Sequence, residues 1–290
     1  MRHLRPLSHV DEVARAGSLR RAAERLHIAP SALQRRIQEF ERELGTPLFE
    51  RLGAKGMRPT AAGELLLRHI RAQAADLDRV LSQVEELRGL RRGLVRLACS
   101  QAVQGVVAAA MLAFRPAAPL VRFQVMLRDQ AAALEALKLF ETDLVLTLEP
   151  PALHDLLVLA ERPQRLMAVM RADHPLAVQS EVRLRDLAKQ RLALPDRSLV
   201  GRRVLDEALG HAALHLEPEA ECTSFEMLWA LLRGGGLVSV QVEAGVPAEA
   251  GLVARPLALP PLRLVLGQLR NRVLPLPAAR FAETLRQAIP

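Results

Sequence analysis

The apolar residues of this 290-residue chain change their spacing once, near residue 90, and that change rules out a single uniform fold. Up to Leu87 they recur every three or four residues, the period of helices packed on one face; from Leu94 onward strand-like runs alternate with helical stretches. The join, Gly89-Leu90-Arg91-Arg92-Gly93, is a glycine-bounded basic stretch that reads as a hinge. A chain of this length holds two or three compact units, so a division of labour along it is expected.

Within the first part, Leu4, Leu7 and Val10 mark a helix that stops at Gly17, and Ser18 is placed to cap the next. That second helix carries Leu19, Ala22, Ala23 and Leu26 on one face. After the short link His27-Ile28-Ala29, a third helix opens at Pro30 or Ser31 and turns Leu33, Ile37, Phe40 and Leu44 inward. Two short helices on a tight turn, with an Ala-Ala pair allowing close approach, form the arrangement whose second helix enters a major groove. Ser31, Gln34, Arg35, Arg36 and Gln38 are left outside, and Arg and Gln are the side chains that pair bidentately with guanine and adenine edges. Taken alone, the same pattern also fits the solvated face of an ordinary helical bundle.

The stretch after the third helix favours the groove. Leu48-Phe49-Glu50-Arg51, Gly53-Ala54-Lys55-Gly56 and Met57-Arg58-Pro59 read as two strands around a glycine turn, a wing that places Arg51, Lys55 and Arg58 to meet backbone phosphates or the minor groove, while Arg20 on the outer face of the second helix is a further candidate DNA contact. Residues 1–60 hold 12 Lys and Arg against 7 Asp and Glu, most of the chain's net +8, so the excess positive charge is local.

These residues resemble the LysR-type transcriptional regulators. Gly17-Ser18-Leu19-Arg20-Arg21-Ala22-Ala23-Glu24-Arg25-Leu26, then Ser31-Ala32-Leu33-Gln34-Arg35-Arg36-Ile37 with Glu41, Leu44-Gly45-Thr46-Pro47-Leu48-Phe49-Glu50-Arg51 and Pro59-Thr60-Ala61-Ala62-Gly63 are similar to that family's motifs in one register. The chain departs from the pattern at Ala29-Pro30, where a polar pair is frequent, and at Gln34-Arg35-Arg36, where Ser-Arg-Gln is common. The resemblance implies a winged helix-turn-helix over 1–60, a dimerisation helix over 61–88, and a two-lobed α/β effector domain over 89–290 of the periplasmic-binding-protein type. Its lobe I is expected at about 93–162 and 268–290, and lobe II at about 163–267. It implies a homodimer, with homotetramers common. Double-stranded promoter or operator DNA and a small-molecule effector are the implied partners, and RNA polymerase stands as a further one.

Thr60 is placed to cap the long helix, whose Leu66, Ile70, Gln73, Leu77, Val80, Val84 and Leu87 follow a coiled-coil seam with one polar member; a helix packed on its own domain is the alternative. In the last two-thirds, parallel strands covered by helices are expected, with ligands at the strands' carboxyl ends. Those ends hold Ser100, Gln101, Arg128 and Thr147 in one lobe and Arg197, Ser198, Thr223 and Ser224 in the other, a set suited to an organic anion. Hydroxyls at helix starts are as often plain caps. Phe225 and Trp229 either line the cleft or pack in the core.

Other classes leave little trace. There is no phosphate loop, nucleophile elbow or dinucleotide fingerprint, so no enzyme and no cofactor is expected. His211-Ala212-Ala213-Leu214-His215 places two imidazoles at helical spacing but has Ala where a metalloprotease needs its Glu, and no metal site is expected. An architectural DNA binder without a ligand would have no use for the long two-lobed part. A thiol sensor at Cys99 and Cys222 lacks a clear activating neighbour. No apolar run is long enough for a membrane span, and the charged start Met1-Arg2-His3 is followed by Ser8, His9, Asp11 and Glu12 rather than an apolar stretch, so a cytoplasmic location is expected.

Overall fold

The computed structural model describes residues 4–51, 56–87, 92–152, 154–248 and 251–290, and within it the chain divides into an N-terminal and a C-terminal unit. The N-terminal unit opens with three helices, α1 (Leu4–Ala16), α2 (Leu19–Arg25) and α3 (Pro30–Leu44). They close on Val10, Val13, Ala22, Ala23, Leu33 and Ile37, all buried, and the two alanines at 0% exposure let α2 approach its neighbours closely. Ser18 sits at the N-cap of α2 as expected, yet its hydroxyl makes no cap bond; only its carbonyl engages, accepting from Ala22 N at 3.0 Å. Pro30 begins α3, where a missing amide proton costs nothing. Leu44 was expected inside but is 46% exposed, because it is the last residue of α3 and lies beyond the reach of the core.

Strands β1 (Phe49–Arg51) and β2 (Met57–Pro59) pair antiparallel with Glu50 opposite Arg58. The tip between them, including Lys55, lies outside the described residues. Two contacts hold this ladder to the helices. Glu41 of α3 accepts from Leu48 N at 2.7 Å and Phe49 N at 3.2 Å. Met57 N donates to Gly17 O at 2.9 Å, an approach that requires glycine next door: a Cβ on Gly56 would stand 2.3 Å from the Gly17 carbonyl.

The long helix α4 (Ala61–Leu87) starts as expected, with the Thr60 hydroxyl accepting from Gly63 N at 3.1 Å while donating to Pro47 O at 2.7 Å. The seam expected along it divides in two. Ile70 is buried and Leu66 half-buried, both packed with Leu67 on the core of their own unit, which corrects their assignment to a dimer seam. Farther along, Gln73, Leu77, Val80 and Val84 are exposed, and so is Leu81; the Leu87 side chain is outside the described set.

In the C-terminal unit a first lobe is built from β3 (Arg92–Cys99), α5 (Gln104–Phe114), β4 (Leu120–Leu127), α6 (Gln130–Lys138), β5 (Leu144–Leu148) and β6 (Leu156–Gln164). The second holds β7 (Leu166–Arg171), α7 (Leu184–Leu187), β8 (Arg191–Pro195), α8 (Val200–His211), β9 (Ala220–Cys222), α9 (Phe225–Arg233), β10 (Leu237–Val242) and β11 (Leu252–Pro256). The chain then returns through β12 (Leu262–Leu269) and α10 (Leu276–Ala288). The two five-stranded sheets run in the orders β4-β3-β5-β12-β6 and β11-β7-β10-β8-β9.

Two expectations change here. The sheets are mixed rather than parallel: β3 pairs parallel with β4 and β5, but β12 runs antiparallel to β5 and β6, and β7 antiparallel to β10 and β11. The crossing back to the first sheet also precedes β12, so residues 262–267, expected in lobe II, belong with lobe I. A strand buried on both faces reads as one apolar run in either sheet, and its pattern does not say which it joins.

The first sheet is covered on both sides. Leu144, Leu146 and Leu148 of β5 join the main core, where Phe114 and Phe281 meet edge to face with centroids 5.5 Å apart, while Val145 faces Ala133, Leu134 and Leu137 of α6. His211 ends α8 and Ala213 takes a positive φ, so His211 and His215 do not share a helix face.

Candidate functional site

Two regions bear on function, one of which gathers the side chains expected to act while the other gathers few of them. The first is the outer face of α3. With Leu33 and Ile37 fixing its underside in the core, Ser31, Arg35, Arg36 and Gln38 are exposed and Gln34, expected fully outside, is half-buried. Among the described residues Arg35 is held by an i,i+4 contact to Glu39 at 3.5 Å, and Arg20 of α2 by a similar one to Glu24 at 3.3 Å. Exposed pairs of this kind contribute a few tenths of a kcal/mol, so both guanidinium groups can leave their carboxylates for phosphates or base edges at small cost. Arg36 differs, since its guanidinium lies 3.4 Å from Nε2 of buried His9 on α1. Arg51 and Arg58 are exposed on the two wing strands.

The second is a crevice between the lobes of the C-terminal unit, lined by Ser100, Ala102 and Leu148 from one and by Leu166, Pro195, Gly201, Arg202, Phe225 and Gln241 among others from the second. It has space for about 10 Å³, room for about one water. Among the described residues no acidic side chain lines it.

Of the residues expected there, Ser100 alone is a lining residue, and its hydroxyl accepts from Ala102 N at 3.3 Å, capping the short 3₁₀ turn Gln101–Val103. Thr147 is buried, but it shares its side of β5 with Val145 and so faces α6, away from the crevice. Arg128 is exposed beyond β4. Arg197 is exposed and lies 3.6 Å from Asp206. Ser198 N donates to Asp196 at 2.9 Å, and Ser198 holds the Asp196 carboxyl below its usual range. Ser224 caps α9 by accepting from Met227 N at 3.3 Å, the plain capping role, and Thr223 beside it is exposed. Gln101 is half-buried in the 3₁₀ turn that Ser100 caps.

The sequence reading missed Arg202, which lines the crevice with 1% of its side chain exposed. It bonds Asp206 at 2.8 Å, Glu221 at 2.9 Å and Pro195 O at 3.0 Å. Burial by itself pulls this guanidinium down, and the two carboxylates more than offset it, holding its pKa above the ordinary value. Nothing in the string Gly201-Arg202-Arg203 distinguishes the buried arginine from its neighbour. Phe225, by contrast, satisfies both readings offered for it: it is buried in the core, lines the crevice and stacks on Trp229 at 5.7 Å. Cys99 is buried, which pushes its thiol up to about 12 and leaves it unreactive at neutral pH.

Comparison with known proteins matches two stretches of the chain. Residues 4–64 match the bacterial regulatory helix-turn-helix protein domain of the lysR family, and residues 88–290 match the LysR substrate binding domain. The RuBisCO operon transcriptional regulator of Allochromatium vinosum is 27% identical over 237 residues, which span 82% of this chain and 78% of that protein. Among solved structures, full-length CbnR complexed with target DNA aligns with a TM-score of 0.63 at 19% identity, covering 98% of this chain and 99% of that one. The regulatory domain of CcmR from Synechocystis PCC6803 in complex with 2-PG aligns with a TM-score of 0.57 at 19% identity, covering 68% and 97%.

Proposed function

Because the chain belongs to the LysR family of transcriptional regulators, we propose that it reads a duplex with Arg35, Gln34 and Ser31 of α3 and is switched by a small organic anion admitted to the crevice between its lobes. The observation that carries the first half is the exposed polar face of α3, set above Leu33 and Ile37, with Arg20, Arg51 and Arg58 exposed on α2 and the wing. Lys55 at the wing tip, Arg36 and Gln38 complete the contact set.

Pairing is assigned to the distal part of α4. Leu77, Val80, Leu81 and Val84 leave apolar surface exposed at helical spacing, the surface a second copy would cover in a homodimer or homotetramer. The anionic class of effector is supported by a lining that, among the described residues, holds no carboxylate and includes the start of α8; the CcmR regulatory domain, alike in fold, is in complex with the small molecule 2-PG. The chain regulates rather than catalyses in this reading, and it works in the cytoplasm; among the described residues no helix is long and apolar enough to cross a membrane.

Hydroxyl-radical footprinting of the purified full chain on the DNA upstream of its own and neighbouring genes tests this. A protected stretch with two half-sites, lost in Arg35→Ala, is the expected result; uniform cleavage with the unmodified protein contradicts it.

A further inference from the structure

From the bond beside the crevice we infer that Arg203 is the side chain that recognises the effector's negative charge, and that Gln130 competes with the effector for it. The inference rests on the crevice being the effector site and names the residue that selects for charge there.

Gln130 opens α6 of the first lobe and Arg203 lies in the first turn of α8 of the second, and a hydrogen bond of 3.1 Å from the Arg203 guanidinium to Gln130 Oε1 bridges the lobes. The orientation of the Gln130 amide is set by its other contacts. Its Nε2 donates to the carbonyls of Leu148, at 2.8 Å, and Glu149, so the oxygen is the atom left to face Arg203. Gln130 and Arg203 do not themselves line the crevice: Arg203 is exposed and Gln130 half-buried, and the bond lies just outside it, next to Leu148 on one lobe and to Gly201 and Arg202 on the other.

Charge separates Arg203 from its neighbours. Arg202 is compensated by Asp206 and Glu221, and Arg197 lies within reach of Asp206. Among the described residues no carboxylate pairs with Arg203; its acceptor is a neutral amide. A guanidinium bonded to a neutral amide oxygen gains when a carboxylate or phosphate replaces that oxygen, because the anion adds a direct Coulomb attraction and can accept two parallel hydrogen bonds from the planar fork. An entering anion therefore takes Arg203 from Gln130, and the same exchange releases the bond between the lobes. A neutral ligand has no such leverage.

The single tryptophan reports on the exchange, since Trp229 stacks on Phe225 and Phe225 lines the crevice. The test titrates the full chain with 2-phosphoglycolate, glycolate, inorganic phosphate and, as the uncharged arm, ethylene glycol, while Trp229 fluorescence is recorded. At least one anion is expected to change the emission, with ethylene glycol inert. Arg203→Gln should weaken that anion about tenfold or more, and Arg203→Lys should recover part of the loss, whereas Gln130→Ala should tighten binding about threefold by removing the competitor. Opposite signs for the two positions separate recognition from a general loosening, which would move both the same way and overturn the inference. Anion binding unaffected by Arg203→Gln also overturns it while leaving the crevice as the effector site. A response to ethylene glycol in preference to the anions removes the anionic class but keeps the crevice, and silence of Trp229 toward every probe removes both.

Discussion

Asp143 and Arg272 stand 129 positions apart in the chain, yet their side chains meet at 2.6 Å in the buried interior of the first lobe. Arg272 also donates to Thr142 O at 2.8 Å, and the second Asp143 oxygen accepts from Arg96 N at 2.9 Å, so one carboxylate ties β3, the entry to β5 and the turn before α10 together. Removing one partner strands a charge in the interior. Asp143→Ala is expected to lower the unfolding free energy by about 3–5 kcal/mol in urea, with an apolar replacement of both residues recovering much of the loss. A change below about 1 kcal/mol would mean the pair is solvated.

The wing and α4 approach each other through Gly63, where an added Cβ would stand 2.1 Å from the Leu48 carbonyl. Backbone cannot yield there as a side chain can. Gly63→Ala is expected to destabilise the N-terminal unit by about 1–3 kcal/mol, read as a lowered unfolding midpoint together with weaker DNA binding.

Cys99 gives a pH signature. Its folded thiol is raised from the ordinary 9.0 to about 12, so above pH 9 the unfolded chain loses a proton that the folded chain keeps. This contribution to stability is complete below pH 9 and is lost as pH rises toward 12. Alkylation of the native protein at pH 8 should label Cys222, which is half-buried, and spare Cys99 until urea is added. Equal labelling of both in the native state would contradict the burial of Cys99.

The exposed apolar side chains of α4 predict an oligomer. Replacing Leu77 and Leu81 with Asp should lower the sedimentation mass of the full chain toward 31.9 kDa and weaken operator binding at least tenfold, since two linked reading heads then act singly. An unchanged mass would place the interface elsewhere.

Much of the N-terminal unit was legible because its signals are local. The Ala22-Ala23 contact, Pro30 at a helix start and Thr60 at a cap each depend on a few neighbouring residues. The alternation of strand-like and helical runs after Leu94 was readable for the same reason, while the pairing of the lobes came from the family resemblance. What escaped depends on contacts distant in sequence. Apolar spacing places Ile70 and Val80 on one stripe of α4, but only the fold shows that the first is spent on its own core and the second is left open. Strand parity turned Thr147 toward α6, and partners 73 positions apart set the link between Gln130 and Arg203. Arg197, Arg202 and Arg203 are the same residue to a sequence; Asp206 and Glu221 decide which of them carries uncompensated charge.

The exposed face of α3 is proposed to read a duplex by paired contacts dominated by phosphate neutralisation. Equilibrium binding of the footprinted duplex, competed with random duplex at salt from 50 to 200 mM, tests it most directly. Affinity is predicted to fall about 10³-fold or more across that range, the preferred duplex to win at every salt concentration, and Arg35→Ala to cost about 1–3 kcal/mol of that preference. Binding that ignores salt, or a preference that survives Arg35→Ala intact, would contradict it.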